Sequence, residues 1–218
     1  MIQAVIFDMD GLLIDNEPIW RRAHQTVLLK RHLHISQDDV RHMAGKGTLH
    51  IVELWRERFN GWAATEDQEI CQEIFDEVTH SVGDEGVELP GVTSLVKALY
   101  EKHIPLAVAS SSPLFLISST LKKLGIDRYM PIIHSGVDEV NPKPAPDVYI
   151  SAAKSLGVAP KNCLVFEDSP SGIKAAKAAG MSCIAVPEPG REPALFSEAD
   201  AIIPSLKDFD VSSIEAVT

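Results

Sequence analysis

The amino-acid sequence predicts an α/β fold that combines a Rossmann-like parallel sheet with an inserted α-helical domain. Residues 4–7 form a short, continuous apolar run, which is typical of a strand buried on both faces. From about residue 90 onward, similar runs alternate with segments of helical periodicity, as in right-handed βαβ units. Residues 15–87 lack such runs and repeat their apolar side chains at helical spacing, so a helical insertion follows the first strand.

The expected domain organisation is a discontinuous core, residues 1–14 and 88–218, interrupted by a helical cap, residues 15–87. Residues 83–91 contain acidic residues and a proline, and we expect them to form the linker back to the core. All the tryptophans of the chain fall in the cap, and core packing explains them better than a sugar-stacking role. They are Trp20, Trp55 and Trp62.

Five further strands and four helices are expected in the second part of the core. Two of the helices are predicted to end at a glycine in the left-handed conformation, Gly125 and Gly157. The strands are expected at residues 104–109, 132–133, 164–166, 184–186 and 201–203, and the helices at 92–103, 114–124, 147–156 and 172–179.

Composition and charge restrict the class of protein. The chain has 218 residues, of which 45% are hydrophobic, enough for a full-sized core. Its net charge of −11 argues against a nucleic-acid or membrane-surface partner. The three cysteines have no metal-ligand spacing, and no apolar run approaches the ~18 residues that span a bilayer. We expect a cytoplasmic protein, and nothing in the sequence requires more than a monomer.

Two carboxylates, Asp8 and Asp10, follow the first strand directly and are themselves followed by Gly11. On an extended chain, residues two apart point to the same side, so both side chains would face one crevice if the strand continued to Asp10. Like charges at that separation need a cation or a shared proton. The alternative is an ordinary Asp-Gly turn after a strand, and this segment alone does not decide between the two.

Polar residues also follow the other strands of the predicted sheet: Ser110 after the second, Lys143 in the loop after the third, and Glu167 and Asp168 after the fourth. Parallel strands end at one edge, where open α/β sheets bind ligands. Each residue has an ordinary explanation, such as helix capping for Ser110 or solvation for Lys143. Their common position after strands favours a shared site. Its carboxylates would suit Mg²⁺, and Lys143 and Ser110 would suit a phosphate opposite the metal.

These residues resemble the four ordered motifs of the haloacid dehalogenase-like (HAD) hydrolase superfamily, and the resemblance extends over the whole chain. The helical insertion resembles the first type of cap domain in that superfamily. Within the superfamily, the chain most resembles the β-phosphoglucomutase-like branch. Residues 10–18 are most similar to its hexose- and hexitol-phosphate phosphatases. The matching segments are residues 8–11, Ser110, residues 143–144, residues 167–168 and the small-residue stretch 172–180.

The resemblance implies a role for each carboxylate. Asp8 would be the nucleophile that forms an aspartyl-phosphate, and Asp10 would protonate the leaving alcohol and then activate water. Mg²⁺ would be held by Asp8, the backbone carbonyl of Asp10 and Asp168, with Glu167 assisting directly or through water.

The same resemblance implies how the transferring phosphoryl group is bound. Ser110, the backbone of Ser111 and Lys143 would hold it, which agrees with the positioning and charge neutralisation that phosphoryl transfer requires.

Departures from the family pattern bear on the reaction class. Dehalogenases of the superfamily lack the aspartate that matches Asp10, which disfavours carbon–halogen cleavage. The mutases carry a cap histidine near the position of Ile19 and an arginine near that of Thr48, so both differences weaken the mutase interpretation. Three cap residues could replace those contacts, although solvation explains each of them more simply. They are Lys46, His50 and Arg56.

We therefore expect a Mg²⁺-dependent phosphatase whose partner is a small-molecule phosphate ester, most plausibly a sugar or sugar-alcohol phosphate. Two alternatives remain open at this point: a β-phosphoglucomutase-like isomerase, and a catalytically idle sugar-phosphate-binding protein. The first would interconvert hexose phosphates without net phosphate release, and the second would bind them without turnover.

Overall fold

A six-stranded parallel sheet forms the centre of the protein in the computed structural model, which describes residues 1–41, 43 and 46–215. Residues 42, 44 and 45 of the predicted cap and 216–218 of the predicted core lie outside the described residues. The strands are β1 (Ala4–Phe7), β2 (Ile14–Asp15), β3 (Val87–Glu88), β4 (Leu106–Ser110), β5 (Ile132–Ser135), β6 (Cys163–Glu167), β7 (Ser182–Ala185) and β8 (Ala201–Ile202).

The sheet order is β5-β4-β1-β6-β7-β8, so all six strands predicted for the core form and the first lies at the centre. Phe7 pairs with Val108 on one side and Phe166 on the other. Since these strands run parallel, the residues at their carboxyl ends lie at one edge of the sheet, among them Asp8 directly after β1 and Glu167 at the end of β6. The helices are α1 (Glu17–Leu29), α2 (Gln37–Arg41), α3 (Thr48–Phe59), α4 (Asp67–Glu85), α5 (Val92–Glu101), α6 (Leu114–Leu124), α7 (Asp147–Leu156) and α8 (Pro170–Ala178).

Helices cover both faces of the sheet, which explains why its central strands, β4, β1 and β6, are buried along their whole length. In β1, Val5 and Phe7 face a cluster that includes side chains of α5 and α6, while Ala4 and Ile6 face one formed with α7 and α8. Phe7 stacks on Phe166 with the ring centroids 5.3 Å apart. The predicted glycine ends of α6 and α7 are confirmed, since Gly125 and Gly157 have φ values of 67° and 70°.

Four helices, α1 to α4, form the insert between β1 and β4. Apolar side chains at helical spacing on α4 are buried, and on α3 Ile51 and Trp55 are buried while Leu54 and Phe59 are half-buried. Trp55 lies in a small cluster inside this insert, and Trp20 and Trp62 pack partly buried against the hydrophobic core. The buried α4 positions are Ile70, Ile74, Phe75 and Val78.

The segment predicted as the linker, residues 83–91, contains regular structure, because α4 continues to Glu85 and β3 follows. In the antiparallel pair of β2 and β3, Ile14 lies opposite Glu88 and Asp15 opposite Val87. The two chain segments that lead into and out of the insert are therefore held side by side. Two residues are too few to show strand periodicity in a sequence, and this pairing depends on the tertiary fold. The cap boundaries at residues 15 and 87 stay a prediction.

Among the described residues, the structure contains no helix with the length and apolar character needed to span a membrane.

A buried histidine makes the stability of the insert depend on pH. His24 of α1 is 1% exposed, and its Nδ1 has no hydrogen-bond partner within the described residues. Burial lowers the pKa of His24 to about 4. The unfolded chain, in which histidine titrates near its ordinary value of about 6.5, therefore binds more protons between those two pH values. Stability contributed by the neutral ring is present above about pH 6.5 and is lost as the pH falls toward 4.

We expect the free energy of unfolding to contain a His24-dependent loss of about 2 kcal/mol between pH 7.5 and pH 5. Urea unfolding of the wild type and of His24→Leu at both pH values would measure it. The pH-dependent decrease should be smaller by that amount in the variant. An identical decrease in both proteins would show that His24 does not titrate as its burial indicates.

Candidate active site

The seven residues predicted for catalysis, phosphate binding and metal binding line one cavity at the carboxyl edge of the sheet, beneath the helical insert. Side chains of the insert, among them Glu17, Trp20, His24 and Lys46, form the opposite wall. The structure therefore brings the predicted set together. Its members are Asp8, Asp10, Ser110, Ser111, Lys143, Glu167 and Asp168.

The two aspartates share this cavity through a turn and not through a continued strand. Strand β1 ends at Phe7, and the backbone N–H of Asp8 donates to the carbonyl of Phe166 (3.0 Å). The carbonyl of Met9 then accepts from the N–H groups of the three residues 12–14 at 2.8 to 3.4 Å. This compact turn replaces the extended geometry considered for Asp10. It gives the two carboxylates different neighbours, although both face the cavity.

Gly11 is required at the turn for two reasons. Its φ of 79° lies in the left-handed region, where a side chain is strained. A β-carbon at this position would also lie 2.5 Å from Oδ2 of Asp168. The glycine therefore allows the carboxylate after β6 to approach the turn after β1.

Lys143 is the buried cation of the site. Its Nζ donates to Oδ1 of Asp8 (2.6 Å) and Oε1 of Glu167 (2.8 Å), and also contacts the carbonyl of Ala109 (3.2 Å) and the hydroxyl of Tyr149 (3.0 Å). Its side chain is 1% exposed. One ammonium group thus connects the ends of β1, β4 and β6.

Glu167 is fully hydrogen-bonded around Lys143. Its Oε1 also accepts from the hydroxyl of Tyr149 (2.9 Å), and its Oε2 accepts from the backbone N–H (2.8 Å) and hydroxyl (2.9 Å) of Ser169. With four donors, Glu167 is held in one orientation and in turn orients Lys143.

Two residues of this network, Tyr149 and Ser169, were not predicted from the sequence. Tyr149 is a core position of α7 by pattern, and Ser169 resembles an ordinary N-cap, which it also is, since its hydroxyl accepts from Gly172 (3.0 Å).

Asp10 accepts hydrogen bonds on both oxygens. Oδ1 accepts from the side-chain amide of Asn16 (2.6 Å) and the indole N–H of Trp20 (3.0 Å), and Oδ2 accepts from the hydroxyls of Ser110 (2.9 Å) and Ser112 (2.7 Å). The predicted phosphate ligand Ser110 is therefore engaged by Asp10 in this structure.

Three of these donors, Asn16, Trp20 and Ser112, were not predicted from the sequence. Ile19 stands near the place of the mutase histidine in the sequence, but it is buried in the apolar core, and the next residue, Trp20, reaches Asp10. A tryptophan in an amphipathic helix gives no sequence signal that separates packing from a polar contact.

The polar residues of the insert differ in what they contact. Arg56 donates to both oxygens of Asp67 (3.0 and 3.1 Å), and the ring of His50 lies 3.7 Å from the exposed carboxylate of Glu53. Lys46, in contrast, lines the cavity. Of the three replacements considered in the sequence, Lys46 is thus the one that faces the site.

The charges of the site are unbalanced. Burial raises the pKa of Asp8 to about 8, against the attraction of Lys143, and burial likewise raises the pKa of Asp168 well above its usual range. Burial opposes charge on Glu167 as well, but Lys143, Ser169 and Tyr149 hold its pKa below the usual value. Two of these three carboxylates, Asp8 and Glu167, contact the ammonium of Lys143, and the three together carry two more negative charges than it balances when all are ionised.

The excess charge and the donor set fit a divalent cation. One oxygen each from Asp8, Glu167 and Asp168 can be chosen so that all three lie within 4.8 Å of one another. An all-oxygen set with few carboxylates is what Mg²⁺ prefers, and two positive charges would balance the excess. Because Glu167 is already engaged by four donors, Asp8 and Asp168 are the better candidates for direct ligands.

The site depends on a glycine in α8. A β-carbon at Gly172 would overlap the carboxylate of Glu167. We expect Gly172→Ala to displace Glu167, release Lys143 from its position and lower phosphate-ester turnover by about 10²-fold or more, as misplacement of a positioning group does. The measurement is kcat/KM together with thermal unfolding.

Gly83→Ala is the matched control, since Gly83 is exposed on α4 and a β-carbon there meets nothing within 4 Å. It should retain wild-type activity. Full activity in a folded Gly172→Ala protein would contradict the role assigned to the Glu167–Lys143 contact.

Comparisons with known proteins identify the family of the chain. The family model described as haloacid dehalogenase-like hydrolase matches residues 5–186. Hexitol phosphatase B of Escherichia coli K12 is 33% identical over 98% of this chain and 96% of its own length. A phosphorylated carbohydrates phosphatase of Thermotoga maritima is 31% identical over 84% of each chain.

The fold is shared with a solved structure. The crystal structure of β-phosphoglucomutase from Clostridium difficile superposes with a TM-score of 0.88 at 23% identity, covering 99% of this chain and 96% of that one. At that identity the likeness establishes the fold, including the helical insert after the first strand. Together with the family match, the comparisons show that the chain belongs to the haloacid dehalogenase-like hydrolase family, among its phosphatases.

Proposed function

We propose that the protein hydrolyses phosphate monoesters of sugars or sugar alcohols through an aspartyl-phosphate on Asp8, with Mg²⁺ as cofactor. The observation that carries the proposal is the pairing of Asp8 with Lys143 in a cavity that is also lined by a second carboxylate, Asp10. A buried carboxylate beside a fixed ammonium is placed to attack phosphorus, and a second carboxylate is placed to exchange protons.

The first half-reaction transfers the phosphoryl group to Asp8. An oxygen of Asp8 forms a bond to phosphorus, the bond from phosphorus to the ester oxygen breaks, and a protonated Asp10 gives its proton to that oxygen. The products are a free alcohol, an acyl phosphate on Asp8 and an ionised Asp10. In the second half-reaction Asp10 takes a proton from water, the water oxygen attacks phosphorus, and Asp8 leaves as a carboxylate.

Asp8, Asp168 and the backbone carbonyl of Asp10 would hold Mg²⁺, with Glu167 acting through water. When bound, the ion supplies positive charge against the phosphoryl oxygens and the excess carboxylates.

The phosphoryl group would be bound by Lys143, the hydroxyl of Ser110 and the backbone of Ser111. Lys143 retains its charge while it contacts Asp8 and Glu167, because these two carboxylates overcome the effect of burial and raise the pKa of Lys143 above the usual value. The Ser110 hydroxyl, which donates to Asp10 here, would rotate toward the phosphoryl oxygens.

Two features support a sugar or polyol as the alcohol. The relatives at 31 and 33% identity are named for carbohydrate and hexitol phosphates. The wall of the insert presents polar side chains to the cavity, Glu17, His24 and Lys46, which suit hydroxyl groups. The cavity has a volume of about 70 Å³, and movement of the insert away from the core and back would admit and enclose a hexitol phosphate.

The test is phosphate release from a panel of hexose and hexitol phosphates. We expect Asp8→Asn to lower turnover by at least ~10⁴-fold, because the amide is not a nucleophile. Asp84→Asn, an exposed substitution on α4, is the control and should leave activity unchanged. Unchanged activity in Asp8→Asn would contradict the mechanism, and interconversion of hexose phosphates without net phosphate release would favour the mutase alternative.

Metal dependence provides a separate test. Chelation should abolish phosphate release, and Mg²⁺ should restore it. In Asp168→Asn the Mg²⁺ concentration that gives half-maximal activity should rise by at least ~10-fold, since a carboxylate facing the ion is lost. Activity that is indifferent to chelation, or an unchanged Mg²⁺ requirement in Asp168→Asn, would exclude the proposed metal site.

A further inference from the structure

The carboxylate of Asp10 receives its four hydrogen bonds from two different parts of the protein. The donors to Oδ1, Asn16 and Trp20, belong to the start of the insert, whereas the donors to Oδ2, Ser110 and Ser112, follow β4 of the core. The two oxygens are therefore not equivalent. One faces the cap side and the other faces the loop that would bind the phosphoryl group.

The chemistry of these donors differs as much as their origin. An indole N–H can only donate, so it cannot accept a proton carried by the oxygen that it contacts. A serine hydroxyl can rotate and either donate or accept. Protonation of Oδ1 would place two hydrogens against each other along the 3.0 Å contact with Trp20. Protonation of Oδ2 requires only that a serine hydroxyl turn away.

Asn16 cannot impose this asymmetry by itself. The amide of Asn16 could turn and present its own oxygen to a protonated Asp10. This buried oxygen, Oδ1 of Asn16, has no hydrogen-bond partner within the described residues. Trp20 has no such alternative. Its ring is also held in place by the insert, because it packs edge-on against Phe75 of α4 with the ring centroids 6.2 Å apart and an interplanar angle of 87°.

We propose that Trp20 is a positioning residue: by donating to Oδ1 of Asp10 from the insert, it holds the carboxylate so that Oδ2 faces the phosphoryl-binding loop and the ester oxygen. The inference rests on the proposed function. In the first half-reaction the proton on Oδ2 passes to the ester oxygen as the bond between phosphorus and that oxygen breaks, and Asp10 is left ionised with Trp20 donating to Oδ1. Because Trp20 belongs to the insert, proton delivery then depends on the seating of the cap on the core.

The test compares two esters whose leaving groups differ in their need for a proton. The hexitol of a hexitol phosphate leaves as a strongly basic alkoxide unless its oxygen is protonated, whereas the nitrophenolate of p-nitrophenyl phosphate leaves without protonation. In Trp20→Phe, kcat/KM for the hexitol phosphate should fall by about 10- to 100-fold, a part of the 10²–10⁴-fold that a positioned acid contributes. With p-nitrophenyl phosphate, kcat/KM should change by less than about 3-fold, which also shows that the variant is folded.

Trp55→Phe is the matched control, because Trp55 is 1% exposed in the same insert and its Nε1 has no hydrogen-bond partner in the part of the chain that the structure describes. It should leave the ratio of the two kcat/KM values unchanged. Equal losses on both esters in Trp20→Phe, no loss on either, or the same shift in Trp55→Phe would overturn the inference while the proposed function stands. A wild-type protein that releases phosphate from neither ester would overturn both.

Discussion

The buried ammonium of Lys143 is the contact on which the geometry of the site depends. It lies at hydrogen-bonding distance from Asp8 and Glu167, and each of these carboxylates comes from a different strand of the sheet. A charge in such a place is stable only when it is paired and fully hydrogen-bonded, and Tyr149 and the Ala109 carbonyl complete its set of acceptors. Removing one partner from a buried pair of this kind costs about 3–5 kcal/mol, because the other charge is left uncompensated.

The surrounding structure follows from that constraint. Glu167 must be held by its own donors, which Ser169 supplies, and α8 must approach closely enough that residue 172 is a glycine. The register of β1 against β6 places Asp8 and Glu167 beside each other. A parallel sheet is well suited to this task, since its carboxyl edge gathers polar residues from distant parts of the chain while the strands themselves stay apolar.

The two aspartates of the first motif show how environment separates identical side chains. Asp8 belongs to the buried network of Lys143, where burial raises its pKa and a cation would restore its charge. Asp10 is only two residues away, yet the turn stabilised by Met9 removes it from that network and gives it donors from the insert and from the loop after β4. The nucleophile and the proton carrier that we propose can therefore coexist in one cavity with distinct roles.

Much of this arrangement was predictable from sequence, and the failures have physical causes. The six core strands and the insert follow from apolar periodicity, and Asp8, Lys143 and Glu167 follow from their positions after strands. Contacts that depend on tertiary direction were not predictable: Trp20 and Tyr149 have the pattern of packed helix residues, and only the fold shows that their polar atoms reach Asp10 and Lys143. The pairing of β2 with β3 was missed because two residues carry no periodicity.

Covalent capture of Asp8 during turnover is the most direct measurement of the central claim. The Mg²⁺-loaded enzyme would be quenched with acid while it hydrolyses a hexitol phosphate, reduced with borohydride to convert an acyl phosphate to an alcohol, and mapped by peptide mass spectrometry. The account predicts that Asp8 is converted to homoserine and that Asp10 and Asp168 are not. Rapid phosphate release with Asp8 unmodified, or modification at another carboxylate, would contradict it.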